Sequence, residues 1–400
     1  MWHPSELAYC SNLHPGETLA DVEANLSRFF SPVMAKRGQT QMSSGLWLSA
    51  GAASELQRPE ALQHFRQCLQ RNGVSLTTLN GFPYGNFHQG EVKEDVYLPD
   101  WSDPRRLIYT CQLAVILASC LPHHVTMGAI STLPLGYRQH WRDDKHLKAI
   151  EHLIWLNEEL AVLKALEGRH IQVCLEMEPD CVLESTTQMI DFFGELTQAN
   201  GGYPEHLGVC FDVCHQGVMH EDAYDSLRRL TEAGIYIGKI QISNAFEVDT
   251  QALLDPLSDL PDVLALFAEA RYLHQVKARY TDGRLNAMPD LSGALSALYA
   301  PGSALAETES WRVHFHVPLD MSQWIHPAMT SLHGTLESVF QFLSDYRYQI
   351  KPWLEVETYS WLVLPVGLQP QNDHELIDGI VKELSWLEHR LRDRGLLRYD

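Results

Sequence analysis

The 400-residue sequence lacks several features that would assign it to a common class of proteins. It has no run of about 18 apolar residues, which argues against a helix that spans a membrane. Its eight cysteines form no CxxC pair, and its first residues lack the basic and apolar regions of a secretion signal. We therefore expect a reduced, cytoplasmic protein. No GxGxxG motif follows a predicted strand, which disfavours a dinucleotide-binding fold.

Positive charge is also scarce, with 30 Lys and Arg residues against 51 Asp and Glu residues. The resulting net charge of −21 argues against a nucleic acid or an anionic membrane as the main partner, because both require a basic surface. A small-molecule metabolite and a cation fit this composition better. Hydrophobic residues make up 45% of the chain, enough for a sizeable core.

Short apolar runs alternate with helix-like stretches along the chain. Apolar residues recur at helical spacing in Lys145–Leu166 and in Glu375–Leu391. Nine segments are predicted to be strands: Leu7–Asn12, Leu46–Ser49, Val74–Asn80, Val125–Ser131, Ile171–Glu178, Leu207–Asp212, Tyr236–Ile242, Arg312–Val317 and Trp353–Glu357.

Strands that alternate with helices predict βαβ units and a parallel sheet. The length and the number of units favour an α/β fold of the (β/α)8 TIM-barrel type, with a doubly wound open sheet as the alternative. We expect one domain over residues 1–400, with an insertion at 245–310 before the last βαβ unit. The Asp282–Gly283 dipeptide predicts a hairpin within this insertion. Either Tyr236–Ile242 or Arg312–Val317 is then the seventh barrel strand.

The carboxyl ends of barrel strands line the active site in this type of fold, so the polar residues there are candidates for function. Carboxylates, imidazoles and amides predominate among them, and such groups at one mouth predict a site for Mn, Mg, Co or Zn. The candidates are Asn12, His14, Asn80, Tyr84, Glu176, Glu178, Asp212, His215, Gln241, Asn244, His314, His316, Glu355 and Glu357.

Several of these residues also have a purely structural interpretation. Asp212 can cap the helix that follows it, with His215 on the surface. Glu176 and Glu178 precede a proline and can be solvated loop residues. His314 and His316 can be hydrogen-bonded core histidines. The metal interpretation is favoured over these alternatives only because several strands carry potential ligands at their carboxyl ends.

The order of these motifs resembles the xylose isomerase-like superfamily, which includes sugar isomerases, epimerases and enzymes of the endonuclease IV type. The form of Asp212, Cys214 and His215 resembles the last of these. More specifically, the sequence resembles the metabolite-traffic protein EboE family. The motifs that carry this resemblance extend from Tyr9 to Trp361: YCSNLHPGET, NGFPYGNFHQGEVKEDVYLPDW, FDVCHQ, RVHFHVP and LEVETYSW.

This resemblance implies a TIM barrel encoded in a gene cluster for prenylated or aromatic metabolites and their movement to the cell periphery. Other proteins of that cluster are implied as partners, and several relatives in the superfamily are oligomers. The superfamily's metal ligands would fall on Glu176 or Glu178, Asp212, Gln241 or His316, and Glu357. The sequence departs from the pattern at Gln241, where a histidine is usual, and an amide is the weaker ligand.

The first functional hypothesis is a metal-dependent isomerase or epimerase of a small polyol or keto sugar. Glu178 or Glu176 would remove a proton next to a carbonyl group, and Glu357 would return it. His215 would orient the substrate or complete the metal shell.

Other residues are expected to bind the substrate: Asn12, His14, Asn80 and Tyr84 at the strand ends. Lys93 and Arg138 would hold a phosphate or carboxylate group, unless both are ordinary surface charges. The aromatic loop from Phe82 to Trp101 is expected to form a lid, or else a packed cover of the barrel mouth.

Two other hypotheses remain. An endonuclease IV-like hydrolase would need histidines after the third and fourth strands, where the chain has Asn80 and Ser131 or Thr132. A barrel that binds or transfers a metabolite without catalysis, with a degenerate metal site, is the third hypothesis, and Gln241 favours it.

Overall fold

A computed structural model describes residues 1–399. The strands in chain order are Ala8–Tyr9 (β1), Met42–Trp47 (β2), Val74–Asn80 (β3), Met127–Thr132 (β4), His170–Glu176 (β5), Leu207–Asp212 (β6), Ile237–Ile242 (β7), Phe246–Asp249 (β8), Val276–Arg279 (β9), Leu285–Met288 (β10), Ser310–Val313 (β11), Met329–Ser331 (β12) and Trp353–Val356 (β13).

Fourteen α-helices accompany the strands in this part of the chain. They are Leu19–Asn25 (α1), Ser31–Lys36 (α2), Ala50–Glu55 (α3), Pro59–Arg71 (α4), Pro104–Cys120 (α5), Asp143–Glu167 (α6), Thr186–Asn200 (α7), Val213–Val218 (α8), Ala223–Glu232 (α9), Thr250–Leu254 (α10), Leu260–Ala265 (α11), Leu291–Leu298 (α12), His333–Asp345 (α13) and Asp373–Asp393 (α14). The two helices with the clearest sequence period, α6 and α14, are confirmed. No helix in residues 1–399 is both long enough and apolar enough to cross a membrane.

Eight parallel strands form the barrel, in the order β1-β13-β7-β6-β5-β4-β3-β2. A parallel bridge between Cys10 and Gly45 joins the two ends of this sheet, so the barrel closes. The predicted (β/α)8 fold is confirmed. The seventh barrel strand is β7, whereas the predicted strand Arg312–Val317 is not in the barrel, because β11 pairs with β8 and β9 instead.

Successive side chains of a strand point to opposite faces, so the two faces of each barrel strand pack against different residues. In β6, the large residues Leu207, Val209 and Phe211 belong to the main hydrophobic core. Cys210, from the opposite face of the same strand, packs with Ala129 and Cys174 in a separate small cluster. The small residues inside the barrel leave room for polar side chains at its carboxyl end.

A second sheet of five antiparallel strands, in the order β10-β9-β11-β8-β12, lies between β7 and β13 in the chain. Asp282 and Gly283 lie at the turn of the β9–β10 hairpin, where Gly283 has a φ of +85° that favours glycine. This sheet is tied to the barrel by Lys277, whose ammonium lies 2.6 Å from Asp180 and 3.0 Å from Glu184. The segment that follows β11 reaches the carboxyl end of the barrel, where Nδ1 of His316 donates to the Glu357 carbonyl at 2.8 Å.

Candidate metal centre

Three buried carboxylates meet at the carboxyl end of the barrel. Glu176 ends β5, Asp212 ends β6, and Glu357 follows β13. One oxygen atom from each lies within 4.8 Å of the other two. Burial, together with repulsion between these groups, raises the pKa of Glu176 and of Glu357 well above the usual range. Three carboxylates this close are costly to bury unless a cation binds them.

Asp212 does cap the helix α8, but the cap uses only half of its carboxylate. Its Oδ1 atom accepts hydrogen bonds from the backbone N–H of His215 and the hydroxyl of Ser243, both at 2.8 Å. Its Oδ2 atom is buried without a hydrogen-bond partner, as is Oε2 of Glu176. The capping and metal interpretations of Asp212 are therefore compatible, because they use different oxygen atoms.

Three imidazoles, those of His215, His314 and His316, stand beside the carboxylates with ring centroids 4.6 to 5.5 Å apart. Each donates a hydrogen bond from Nδ1 to an oxygen atom: the Met177 carbonyl at 2.8 Å, the Gln275 amide at 2.7 Å and the Glu357 carbonyl at 2.8 Å. This arrangement leaves a lone pair on each Nε2.

Burial favours the neutral form of two of these imidazoles, those of His314 and His316. It lowers the pKa of His314 well below the usual range and that of His316 to about 4. Nε2 of both residues is buried without a partner. Ligand atoms of His215 and His316 lie within 4.8 Å of an Asp212 oxygen, and those of His215 and His314 within the same distance of a Glu178 oxygen. Neutral imidazoles with free lone pairs are suitable metal ligands.

Glu178 belongs to a hydrogen-bond chain and not to the three-carboxylate group. The Tyr97 hydroxyl donates to Glu178 at 2.7 Å, and the Gln275 amide donates to the same hydroxyl at 3.1 Å. Gln275 in turn accepts from His314. Burial raises the pKa of Glu178.

Gln241 lies level with Asp212 on one side and Glu355 on the other in the strand register. It is fully buried, and neither atom of its amide has a hydrogen-bond partner. The residue at the end of β7, where a metal ligand was expected, is thus a buried amide without hydrogen-bond partners. An amide oxygen is a neutral ligand, which weakens any site that depends on it.

The substrate-binding candidates divide into two groups. Asn12, Asn80 and Lys93 line the cavity above the carboxylates, together with His215 and His316. The two asparagines donate hydrogen bonds to Oε1 of Glu357, at 2.7 and 3.2 Å.

The remaining three candidates do not line this cavity. His14 stacks on Phe29 at 3.9 Å, because Ser11–Leu13 turns away after β1. The ring of Tyr84 packs against Tyr109 on α5, with centroids 5.2 Å apart. Arg138 forms an ion pair with Glu184 at 2.6 Å, so its charge is already paired within the protein.

An aromatic wall covers the polar residues, and three of its five rings belong to the loop from Phe82 to Trp101 that was expected to form a lid or a packed cover. The rings come from this loop after β3, from the segment before β9 and from the turn after β13: Phe82, Phe87, Tyr97, Tyr272 and Tyr359. The space left between these rings and the polar side chains is about 70 Å³. Tyr272 lies far from the other residues in sequence and follows no motif, whereas His314 was recognisable from its alternation with His316.

No protein-family model and no curated protein matches the sequence. Among solved structures, a xylose isomerase-like TIM-barrel protein from Mycobacterium smegmatis in complex with magnesium is 11% identical, with a TM-score of 0.52, and the match covers 98% of this chain and 100% of that one.

Two further structures align over most of their lengths at lower scores. A D-tagatose 3-epimerase-like protein is 10% identical with a TM-score of 0.49, and the match covers 97% of this chain and 98% of that one. The probable 3-DHS dehydratase AsbF from Bacillus anthracis is 14% identical with a TM-score of 0.47, and the coverage is 96% and 98%. The similarity to the M. smegmatis protein shows that this chain has the fold of a xylose isomerase-like TIM barrel.

Proposed function

We propose that the chain is a divalent-metal-dependent isomerase or epimerase of a small hydroxy-carbonyl compound. The observation that carries this proposal is the group formed by Glu176, Asp212 and Glu357. Within residues 1–399, no Lys or Arg forms an ion pair with any of the three. The unpartnered oxygen atoms of Glu176 and Asp212 are the donors that a hard divalent ion requires.

The residues present fit such an ion. Glu176, Asp212 and Glu357 offer carboxylate oxygens, and His316 offers a neutral nitrogen near Asp212, where Gln241 offers only an amide. Oxygen ligands suit Mg and Mn, whereas the adjacent imidazoles suit Zn and Co. A bound ion would supply Lewis-acid polarisation of a substrate carbonyl group.

Proton transfer is assigned to residues at the edge of this group. Glu178 faces the cavity outside the three-carboxylate group, and its raised pKa brings it closer to neutral pH, as a general base requires. Glu357 is held by the amides of Asn12 and Asn80, so its carboxylate is fixed in orientation for returning a proton. His215, with Nδ1 bonded to a backbone carbonyl, directs Nε2 to the substrate or the ion.

A second candidate function is metabolite binding without turnover, in a traffic role like that implied for the EboE family. Gln241 supports it, because an amide in place of a charged or imidazole ligand lowers metal affinity. This alternative predicts a protein that binds a small molecule equally well with and without a divalent ion.

Metal analysis separates the two candidates. The protein is purified, dialysed against Mn, Mg, Co or Zn in turn, freed of excess ion and measured by elemental analysis. We expect about one divalent ion per chain, lost in Asp212→Asn. Glu383→Gln is the matched control, since Glu383 is equally buried but lies on α14. An ion-free wild-type protein under all four conditions would contradict the metal-dependent function.

A further inference from the structure

The charges around the cavity limit the class of compound that it accepts. Among the described residues that line it, Lys93 is the only Lys or Arg, and its ammonium lies 2.6 Å from Asp290. The lining also includes the carboxylates of Glu176, Glu178 and Glu357. Apart from the ion that the metal centre would hold, a phosphate or carboxylate group on the substrate would therefore find no unpaired Lys or Arg in the lining, and Glu178 would repel it.

The rings of the wall limit the class further. Tyr272 packs against Phe87 and Tyr359, with centroids 5.0 and 5.1 Å apart, and Tyr359 lies 4.6 Å from the ring of His316. The Tyr272 hydroxyl is bonded to the Phe87 carbonyl and so is not offered to a ligand. Pro83, Val96 and Leu273 also line the cavity with apolar groups, and Val96 packs in the same cluster as Tyr272.

A ligand at this position thus has two unlike halves. The end nearest Glu357 meets carboxylates, amides and imidazoles, which bind hydroxyl and carbonyl groups. The end nearest Tyr272 meets ring faces and aliphatic side chains, which stabilise a hydrocarbon surface but leave additional hydroxyl groups without partners. A fully hydroxylated sugar would bury unpaired hydroxyls against the rings.

We infer that the substrate is a small, uncharged compound whose adjacent oxygens are carried on a hydrocarbon ring or chain, and not a sugar phosphate. This inference rests on the proposed function for its polar end, since the adjacent oxygens are the part that the metal centre would hold. The inference about the hydrocarbon end of the substrate depends only on the aromatic wall.

Calorimetric titration of the Mn-loaded protein with three probes tests this substrate class. cis-1,2-Cyclohexanediol and erythritol contain the same number of heavy atoms and both carry a vicinal diol, but only the first has a hydrocarbon face. Glycerol 3-phosphate supplies a diol and a charge. We expect cyclohexanediol to bind at least about tenfold more tightly than erythritol, and glycerol 3-phosphate to bind most weakly. Equal or tighter binding of erythritol or of glycerol 3-phosphate would overturn the inference.

Variants of Tyr272 test whether the aromatic wall causes the preference for cyclohexanediol over erythritol. Tyr272→Ser removes the ring and is expected to abolish the preference for cyclohexanediol, whereas Tyr272→Phe retains the ring and the preference. Tyr280→Ser, in the β9–β10 hairpin away from the cavity, is the control and is expected to bind like the wild type. A preference unchanged in Tyr272→Ser would show that the wall does not cause it.

The same experiment separates failure of this inference from failure of the proposed function. Manganese is titrated first, and Tyr272→Ser is expected to bind it with unchanged affinity. If no variant binds manganese, the proposed metal chemistry fails, and the order of the two diols is measured on the metal-free protein. Absence of a preference there would overturn the ring inference by itself.

Discussion

The ammonium of Lys239 lies 2.9 Å from a carboxylate oxygen of Glu355, and neither side chain reaches solvent. Lys239 lies two residues before Gln241 in β7, and Glu355 lies two residues before Glu357. The Thr78 hydroxyl donates to the other oxygen of Glu355 at 2.6 Å. A fully buried pair of this kind adds little net stability, but either charge alone would be expensive to bury.

Lys239→Met is therefore expected to lower the free energy of unfolding by about 3–5 kcal/mol, because it leaves Glu355 buried without its cation. The double variant Lys239→Met, Glu355→Met is expected to regain most of this loss. Urea denaturation of the metal-free proteins measures both values. A double variant no more stable than Lys239→Met would show that the charge imbalance is not the cause.

Gly45 cannot be replaced without displacing Glu355. A Cβ atom at this position would lie 1.8 Å from Oε2 of Glu355, well inside contact distance. Gly45→Ala is expected to cost about 1–3 kcal/mol of stability, as overpacking of a filled interior does. Gly51→Ala, in α3 and without a close contact, is the control and should be neutral or slightly stabilising. Similar unfolding free energies for the two variants would contradict the steric argument.

Glu383 makes the stability of the protein depend on pH. Burial raises its pKa from 4.5 to about 7, although the Thr358 hydroxyl, the Trp361 indole and the Leu319 backbone all donate to it. The folded state therefore binds more protons than the unfolded state between these two pH values, so its contribution to stability falls as pH rises from 4.5 to about 7.

Glu383→Gln removes this titration. Between pH 5 and pH 8 we expect the wild type to lose on the order of 2 kcal/mol more stability than the variant, measured by urea denaturation of metal-free protein at both values. Equal losses in the two proteins would place the pKa of Glu383 near its unfolded value.

The loop after β3, which carries part of the aromatic wall, is bound to the segment before β9, and these contacts keep the cavity covered. The backbone N–H groups of Val92 and Lys93 donate to the Arg271 carbonyl at 2.8 and 2.9 Å, and Lys93 pairs with Asp290. Lys93→Met is expected to weaken this closure and to speed metal loss to EDTA several-fold.

Arg284→Met provides the matched control, because it breaks an exposed ion pair with Asp282 in the inserted sheet. Stopped-flow mixing of Co-loaded protein with EDTA measures both rates. Equal rates in the two variants would show that Lys93 has no part in the closure.

The fold was predictable because it depends on alternation, which a single sequence displays. The strands β3 and β6 have the predicted bounds. Some of the polar residues at the strand ends converge, whereas His14 and Tyr84 turn away from the cavity. The residues that converge are Asn12, Asn80, Glu176, Asp212 and Glu357. The predicted strand Leu46–Ser49 was shifted, because β2 begins at Met42 and includes the polar and small residues Ser43, Ser44 and Gly45.

The rest of the site depends on contacts that no local pattern records. Lys239 in a strand suggests a surface residue, and only its pairing with Glu355 explains its burial. Tyr272 packs against Phe87 although 185 residues separate them in the chain, and its position follows from packing alone.

The inserted sheet has a consequence for how the site can change over evolution. The barrel strands and the segments directly after them supply the hard oxygen donors, and the segment after β11 supplies two of the three imidazole nitrogens. Substitutions at His314 or His316 would thus change the balance between nitrogen and oxygen donors, and they would leave the strand pairing that closes the barrel unchanged. Under the proposed metal function, selectivity among divalent ions could therefore change in evolution without changes to the barrel.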